Sequence, residues 1–353
     1  MSHLHPEDIF YGIVGLCVGD ALGVPVEFTP RGDLARYPID DMVGYGVHGQ
    51  EPGTWSDDTS LTLALLDSLS NGVLDYCDIM NNFSKWLNAG AYTANGEVFD
   101  VGNTTNQAIL NYSRGIKPLE CGGQALSDNG NGSLMRILPA MYFLSWQHCG
   151  IMNKDAIVAI HALSALTHAH NISKMACVIY CNVAFQLLTC RQICHRDNAD
   201  WNDAELRRPF LHQFVTTGIQ EALAYYSAIP EYAKDCVVFE RLEDREFRHY
   251  LPSEIKSSGY VVDTLEAAIW CLLNNNDYSG TVLTAVNLGG DTDTTAAVAG
   301  GLAGLFYQDD FDIGIPKHWI NEIINLDLVK VLCNKFCKTL CADQDDYEYW
   351  GEN

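Results

Sequence analysis

The sequence predicts an all-α fold in a single domain, on three observations. Apolar residues recur at helical spacing through most of the chain, strand-like alternation is confined to a few short runs, and glycine-rich turns fall between the helical stretches, at residues 44–54, 122–132 and 289–290. A length of 353 residues allows one large domain or two modest ones, and no tandem repeat or compositional break marks a linker.

Taken in order, residues 8–22 carry Ile9, Ile13, Leu16 and Val18 as an apolar stripe, and residues 58–69 carry Leu61, Leu63, Ala64, Leu65 and Leu66. Residues 156–167, 173–188, 203–226, 261–273 and 294–306 show the same periodicity. Residues 198–208 and 240–248 are dense in charge and read as surface helix ends or as an excursion spanning about 190–255. Residues 343–353 form an acidic, aromatic-bearing tail.

Composition narrows the functional classes. With 48% hydrophobic and 19% charged residues the chain is expected to fold rather than stay disordered. A net charge of −24 opposes a broad nucleic-acid or anionic-membrane surface, but not a small anion whose charge is screened locally. The N-terminus lacks a basic and apolar leader, and the stretch 296–307, taken as the most apolar, is about half a membrane span. A cytoplasmic protein is expected. The 13 cysteines include no CxxC pair and read as buried reduced thiols, the helical trio Cys333, Cys337 and Cys341 among them.

Four segments carry chemistry. In Asn287-Leu-Gly-Gly-Asp-Thr-Asp-Thr-Thr, Asp291, Asp293 and Thr294 put alternating carboxylates and a hydroxyl in a tight loop, a set suited to a hard cation and richer than a helix cap needs. In Trp55-Ser-Asp-Asp-Thr-Ser, Ser56, Asp57 and Asp58 do the same before another helix, with Thr59 as a neighbouring oxygen. Brought together, the two would hold two divalent cations. Gly130, Asn131, Gly132 and Ser133 expose backbone N–H groups as a phosphate nest would, with Ser133 available to cap a following helix and Arg136 to neutralise phosphate or pair with an acid. In Gly15-Leu-Cys-Val-Gly-Asp-Ala-Leu-Gly-Val-Pro-Val-Glu, glycines at four-residue spacing imply close helix packing, with Asp20 and Glu27 as the polar exceptions.

Together with FDVGNTTNQAI, THAH and SSGYVVDTLEAAIW, these stretches resemble the ADP-ribosylglycohydrolase family, in the family's order, from residue 12 to about 307. The resemblance implies a helical fold with a binuclear Mg²⁺ or Mn²⁺ centre in a cleft. Ser56, Asp57, Asp58, Asp291, Asp293 and Thr294 would be the metal ligands, and Gly130–Ser133 the diphosphate loop. His168 would touch ribose or phosphate, and Tyr260 would stack on adenine. Glu27 and Asp100 would be the proton-handling carboxylates, Asp100 having a helix N-cap as its plain alternative. The implied substrate is an ADP-ribosylated protein, with an arginine-linked acceptor preferred and an ADP-ribosyltransferase toxin as a further partner. A non-hydrolysing immunity or structural protein and a metal-dependent phosphoesterase remain open alternatives.

Overall fold

The computed structural model describes residues 4–196 and 204–341 and is helical throughout; isolated β-bridges are its only strand-like pairings among those residues. Twelve helices reach ten residues: α1 (Pro6–Gly23), α2 (Asp57–Leu69), α3 (Tyr76–Ala89), α4 (Asn103–Ser113), α5 (Leu138–His148), α6 (Lys154–Ala165), α7 (Asn171–Arg196), α8 (Ala204–Ser227), α9 (Val261–Asn274), α10 (Tyr278–Asn287), α11 (Thr292–Tyr307) and α12 (Leu326–Leu340). Helices α3, α4, α5 and α10 were not expected from periodicity, and α12 only from the four-residue spacing of Cys333, Cys337 and Cys341. Two of them are marked by capping chemistry instead: Asp75 accepts from the backbone of Cys77 and Asp78 before α3, and Asp277 from Gly280 before α10.

The centre of the molecule is the α1–α11 pair. A Cβ on Gly15 would stand 2.6 Å from the Gly300 carbonyl oxygen, so backbone meets backbone with no side chain between. The same close approach carries the end of α1 onto the start of α11, where Thr292 Oγ1 donates to the Gly23 carbonyl at 2.8 Å. The packing stripe therefore fixes where the acidic start of α11 lies relative to the segment that follows α1.

Because other helices surround it, α1 is apolar on every side. The most apolar stretch is accordingly Pro6–Val26, with mean hydropathy 1.8, rather than residues 296–307. It and Asn171–Ile193 are long and apolar enough to cross a membrane, yet most of each is buried inside the protein. In the charge-dense region, α8 packs along α7, and Phe239, Leu242 and Phe247 are buried while the Arg241 guanidinium pairs with Glu266 at 3.0 Å. Residues 198–203 of that region and the acidic tail lie outside the described residues. The described cysteines are free; Cys333, Cys337 and Cys341 are buried, and burial raises all three thiols.

Candidate metal centre and cleft

The two acidic stretches meet. Thr294 Oγ1 donates to Asp58 Oδ2 at 3.2 Å across 236 residues of sequence. Both segments start helices, but their caps differ. Ser56 caps α2, its hydroxyl accepting from the Asp58 backbone, so neither Asp57 nor Asp58 is needed for capping. At α11 the N-cap position is Asp291, whose side chain makes no capping bond. Capping thus accounts for neither pair of carboxylates.

Asp20 organises the α2 start. Its carboxylate accepts from the Ser56 N–H at 2.9 Å, the Thr59 N–H at 3.0 Å and the Thr59 hydroxyl at 2.6 Å. This assigns Thr59 to a clamp with Asp20 rather than to a ligand set. It also shows what the sequence left open for Asp20, a lone acid in an apolar helix whose partners lie more than 30 residues away.

Several carboxylate oxygens remain without partners. Asp58 Oδ1, Asp291 Oδ1 and Asp293 Oδ2 are buried and unbonded. Buried oxygens of this kind are costly unless a proton or a cation meets them. Two tight groups of acid oxygens, each within 4.8 Å, share Asp293: Asp20, Asp58 and Asp293 form one, and Glu27, Asp291 and Asp293 the other. Asp57 is buried beside them and belongs to neither. Burial, then repulsion from neighbouring carboxylates, pushes Asp57, Asp58 and Asp293 well above the usual range. Burial pushes Asp20 up to about 6 against the pull of its hydrogen bonds.

No described Lys or Arg pairs with any of these acids. Arg31, the nearest in sequence to Glu27, spends its donors on the carbonyls of Leu288, Pro252 and Ile255. An all-oxygen set with orphaned lone pairs and no internal counter-charge fits a hard divalent cation.

Glu27 and Asp100 converge at one side of the cleft. Glu27 is buried, and its Oε2 lies 2.5 Å from His48 Nε2. With Asp100, these two form a third group within 4.8 Å. Burial and the charges of Asp100, Asp291 and Asp20 push Glu27 up to about 9. Asp100 is not a helix cap: Gly102 holds that position for α4, and Asp100 takes a left-handed φ of 51°. Burial raises it too, against the pull of His48. Sequence reasoning missed His48, because a single His in a glycine-rich loop has no spacing that ties it to Glu27.

The glycine-rich loop lies alongside. Asn131 N–H donates to the Gly259 carbonyl and Val261 N–H to that of Asn129, which pairs the loop with the segment carrying Tyr260. Asn131 Nδ2 reaches both Thr264 Oγ1 at 2.9 Å and Asp291 Oδ2 at 3.0 Å, linking the loop to the acid cluster. A Cβ on Gly132 would stand 2.9 Å from both His168 Cε1 and Thr105 Oγ1, so only glycine fits there. His168 is buried beneath the loop with its Nδ1 on Thr167 Oγ1 at 2.8 Å, and burial with nearby Arg136 lowers it to about 3. Tyr260 is half-buried at the start of α9.

Two expectations for this loop change. The Ser133 hydroxyl is turned inward, accepting from Ser164 at 3.0 Å, and it caps nothing, since α5 begins only at Leu138. Arg136 faces neither phosphate nor an acid. It is fully buried, donates to the Leu163 carbonyl and Thr167 Oγ1, and lies 4.9 Å from the centre of the Phe83 ring.

A helical fold with an acid-lined cleft beside a glycine-rich loop defines the protein's class. The family model for ADP-ribosylglycohydrolase matches residues 5–346, and the chain belongs to that family, whose members cleave ADP-ribosyl glycosidic bonds. The ADP-ribosylarginine hydrolase Tri1 of Pseudomonas putida (strain GB-1) is 31% identical over 312 residues, covering 88% of this chain and 72% of the relative. The ADP-ribosyl-[dinitrogen reductase] glycohydrolase of Rhodospirillum rubrum is 30% identical over 319 residues, covering 88% of each. A solved ADP-ribosylglycohydrolase-related protein complex shares the fold with a TM-score of 0.71 at 24% identity, over 95% of this chain and 98% of that one.

Proposed function

We propose that the protein is a divalent-metal-dependent hydrolase that removes ADP-ribose from modified arginine side chains, reversing ADP-ribosylation. The observation that carries this reading is the set of buried, unpartnered oxygens on Asp58, Asp291 and Asp293, drawn from two distant stretches into one cleft with no Lys or Arg among the described residues paired to them. The arginine acceptor is supported by the relatives named for that linkage and by an acid-lined site open to a guanidinium.

Ser56, Asp57, Asp58, Asp291, Asp293 and Thr294 would hold two Mg²⁺ or Mn²⁺ ions. When bound, such ions supply Lewis-acid polarisation of the ribose hydroxyls and of water. The chain does the rest. The glycine-rich loop at residues 130–133, apart from the Asn131 N–H already bonded to Gly259, would cradle the diphosphate, and His168, kept neutral by burial, supports that loop from below. Tyr260 offers the adenine a ring face. In the reaction the bond from C1″ to the guanidine nitrogen breaks, a water oxygen bonds to C1″, and a proton from that water ends on the departing guanidine. Glu27, bonded to His48, and Asp100, grouped with both within 4.8 Å, would hold and pass that proton.

The test is incubation with an ADP-ribosylated arginine protein and Mg²⁺, with product masses measured. Intact ADP-ribose is expected, and EDTA or Asp291→Asn should abolish its release by at least about a thousandfold. Release of AMP would assign the protein to phosphoester cleavage, and retention of the modification with metal present would refute the reading.

A further inference from the structure

We infer that Phe28 selects the acceptor: its ring, with that of Phe99, forms an aromatic rim on which the guanidinium of a modified arginine stacks while Glu27 and Asp100 face its N–H groups. This deepens the arginine reading above and rests on it.

Four features of the structure lead to Phe28. Its φ is +60°, a region that aromatic residues rarely adopt and that persists only where surrounding structure enforces it. The enforcement is visible: Phe28 N–H donates to the Gly290 carbonyl at 2.6 Å and Gly290 N–H donates back to Thr29 at 3.0 Å, pinning this turn to the loop that carries Asp291. The ring so held is 65% exposed, so core packing does not explain it. It stands beside the proton-handling group, its centroid 6.4 Å from that of His48, while Phe99 lies 5.1 Å from His48 on its own approach.

The chemistry of this rim matches one kind of leaving group. A guanidinium is planar and cationic, stacks on aromatic faces, and presents a fork of N–H donors to carboxylates. Glu27 and Asp100 supply acceptors within reach of His48, and none of the described salt bridges joins either to a Lys or Arg. An acceptor joined through a neutral oxygen would gain neither the stacking nor the charge. Tyr45 and Val47, exposed on a neighbouring loop anchored by Val47 N–H on the Pro25 carbonyl, extend the apolar surface around the turn.

Phe28→Gly is the informative variant, because glycine adopts a positive φ freely and the turn should survive loss of the ring. Phe28→Trp keeps an aromatic face. Steady-state kinetics on ADP-ribosyl-arginine are compared with calorimetric binding of ADP-ribose, which has no acceptor. Phe28→Gly is expected to raise KM about tenfold with kcat within about twofold and ADP-ribose affinity unchanged, and Phe28→Trp to keep a KM close to that of the parent protein. An unchanged KM in Phe28→Gly, an equal loss of ADP-ribose affinity, or a Phe28→Trp as impaired as Phe28→Gly would overturn the inference. A parent protein that releases no ADP-ribose from arginine would instead overturn the function proposed above.

Discussion

The acid cleft and the layer beneath the glycine-rich loop are equally buried and built on opposite terms. Around Asp58, Asp291 and Asp293, like charges face one another with oxygens left unbonded. Around His168, Thr167 and Arg136, a neutral imidazole, a hydroxyl and a guanidinium are linked through Thr167; the guanidinium lies over the Phe83 ring and leaves Nε and Nη1 unbonded, but no like charge faces it. The first region destabilises the metal-free fold so that it can take up something positive. The second holds one cation with no like charge against it and lies beneath the loop. Neither burial nor a single unpaired charge therefore marks a functional site, since Arg136 has both; several like charges converging on one space do.

The largest effect should come from relieving that repulsion. Asp293→Asn removes one negative charge and gives the neighbouring carboxylates an N–H to accept. Hydrolysis should fall by at least about a thousandfold, while the metal-free protein gains about 1 kcal/mol, read as a higher Tm in EDTA. A variant that is inactive and also less stable without metal would mean that the cleft carboxylates support the fold, and the contrast between the two regions would fail.

A smaller effect, of opposite sign in stability, is expected under the loop. Gly132→Ala places a methyl group 2.9 Å from His168 and from Thr105. Overpacking of this kind costs about 1–3 kcal/mol and should lower Tm with or without metal, while loosening ADP-ribose binding through the displaced loop. Calorimetry with ADP-ribose and thermal melts in EDTA check both halves. Unchanged stability would show that the layer yields easily and does not set the shape of the loop.

How much of this the sequence revealed follows the same division. Helices with long apolar stripes, such as α1, α2 and α11, were legible within about two residues at each end. Helices α3, α4 and α5 were missed. Helix α3 does carry a stripe, Ile79, Met80, Phe83 and Trp86, and was overlooked; α4 buries only Thr105, Ala108 and Ile109 of its polar run, and α5 is apolar nearly all round, so these two show little stripe to detect. The pairs Asp57–Asp58 and Asp291–Asp293 were readable because carboxylates in excess of a cap are locally anomalous. His48, Phe28 and the clamp role of Asp20 were not, since each depends on a partner brought close only by the fold. Ser133 and Arg136 were misjudged for the same reason: chemistry suited to a phosphate was turned inward, where it satisfies neighbouring hydroxyls and carbonyls instead.

The smallest expected effect is a pair of opposing pH slopes in the metal-free protein. Asp20 and Glu27 have folded-state values raised to about 6 and about 9, so the folded chain holds more protons than the unfolded chain from about pH 4 upward. Their contribution to stability is greatest at low pH and declines as pH rises, ending near 6 for Asp20 and near 9 for Glu27. His168 is lowered to about 3, so the unfolded chain binds its proton first below about 6.5, and stability falls as pH drops through that window. The two regions oppose each other between about pH 4 and 6.5. Above 6.5 the histidine contribution is constant and the slope is set by the raised carboxyls, Glu27 and its cleft neighbours foremost. In EDTA, Tm should therefore fall from pH 7 to pH 9, and Glu27→Gln should lessen that fall while His168→Asn leaves it in place. Saturating Mg²⁺ should flatten it as well, because a bound cation replaces the proton as the partner of the neighbouring carboxylates. A decline that persists undiminished in both Glu27→Gln and Mg²⁺ would place the titrating group outside the cleft and remove the electrostatic basis of the contrast.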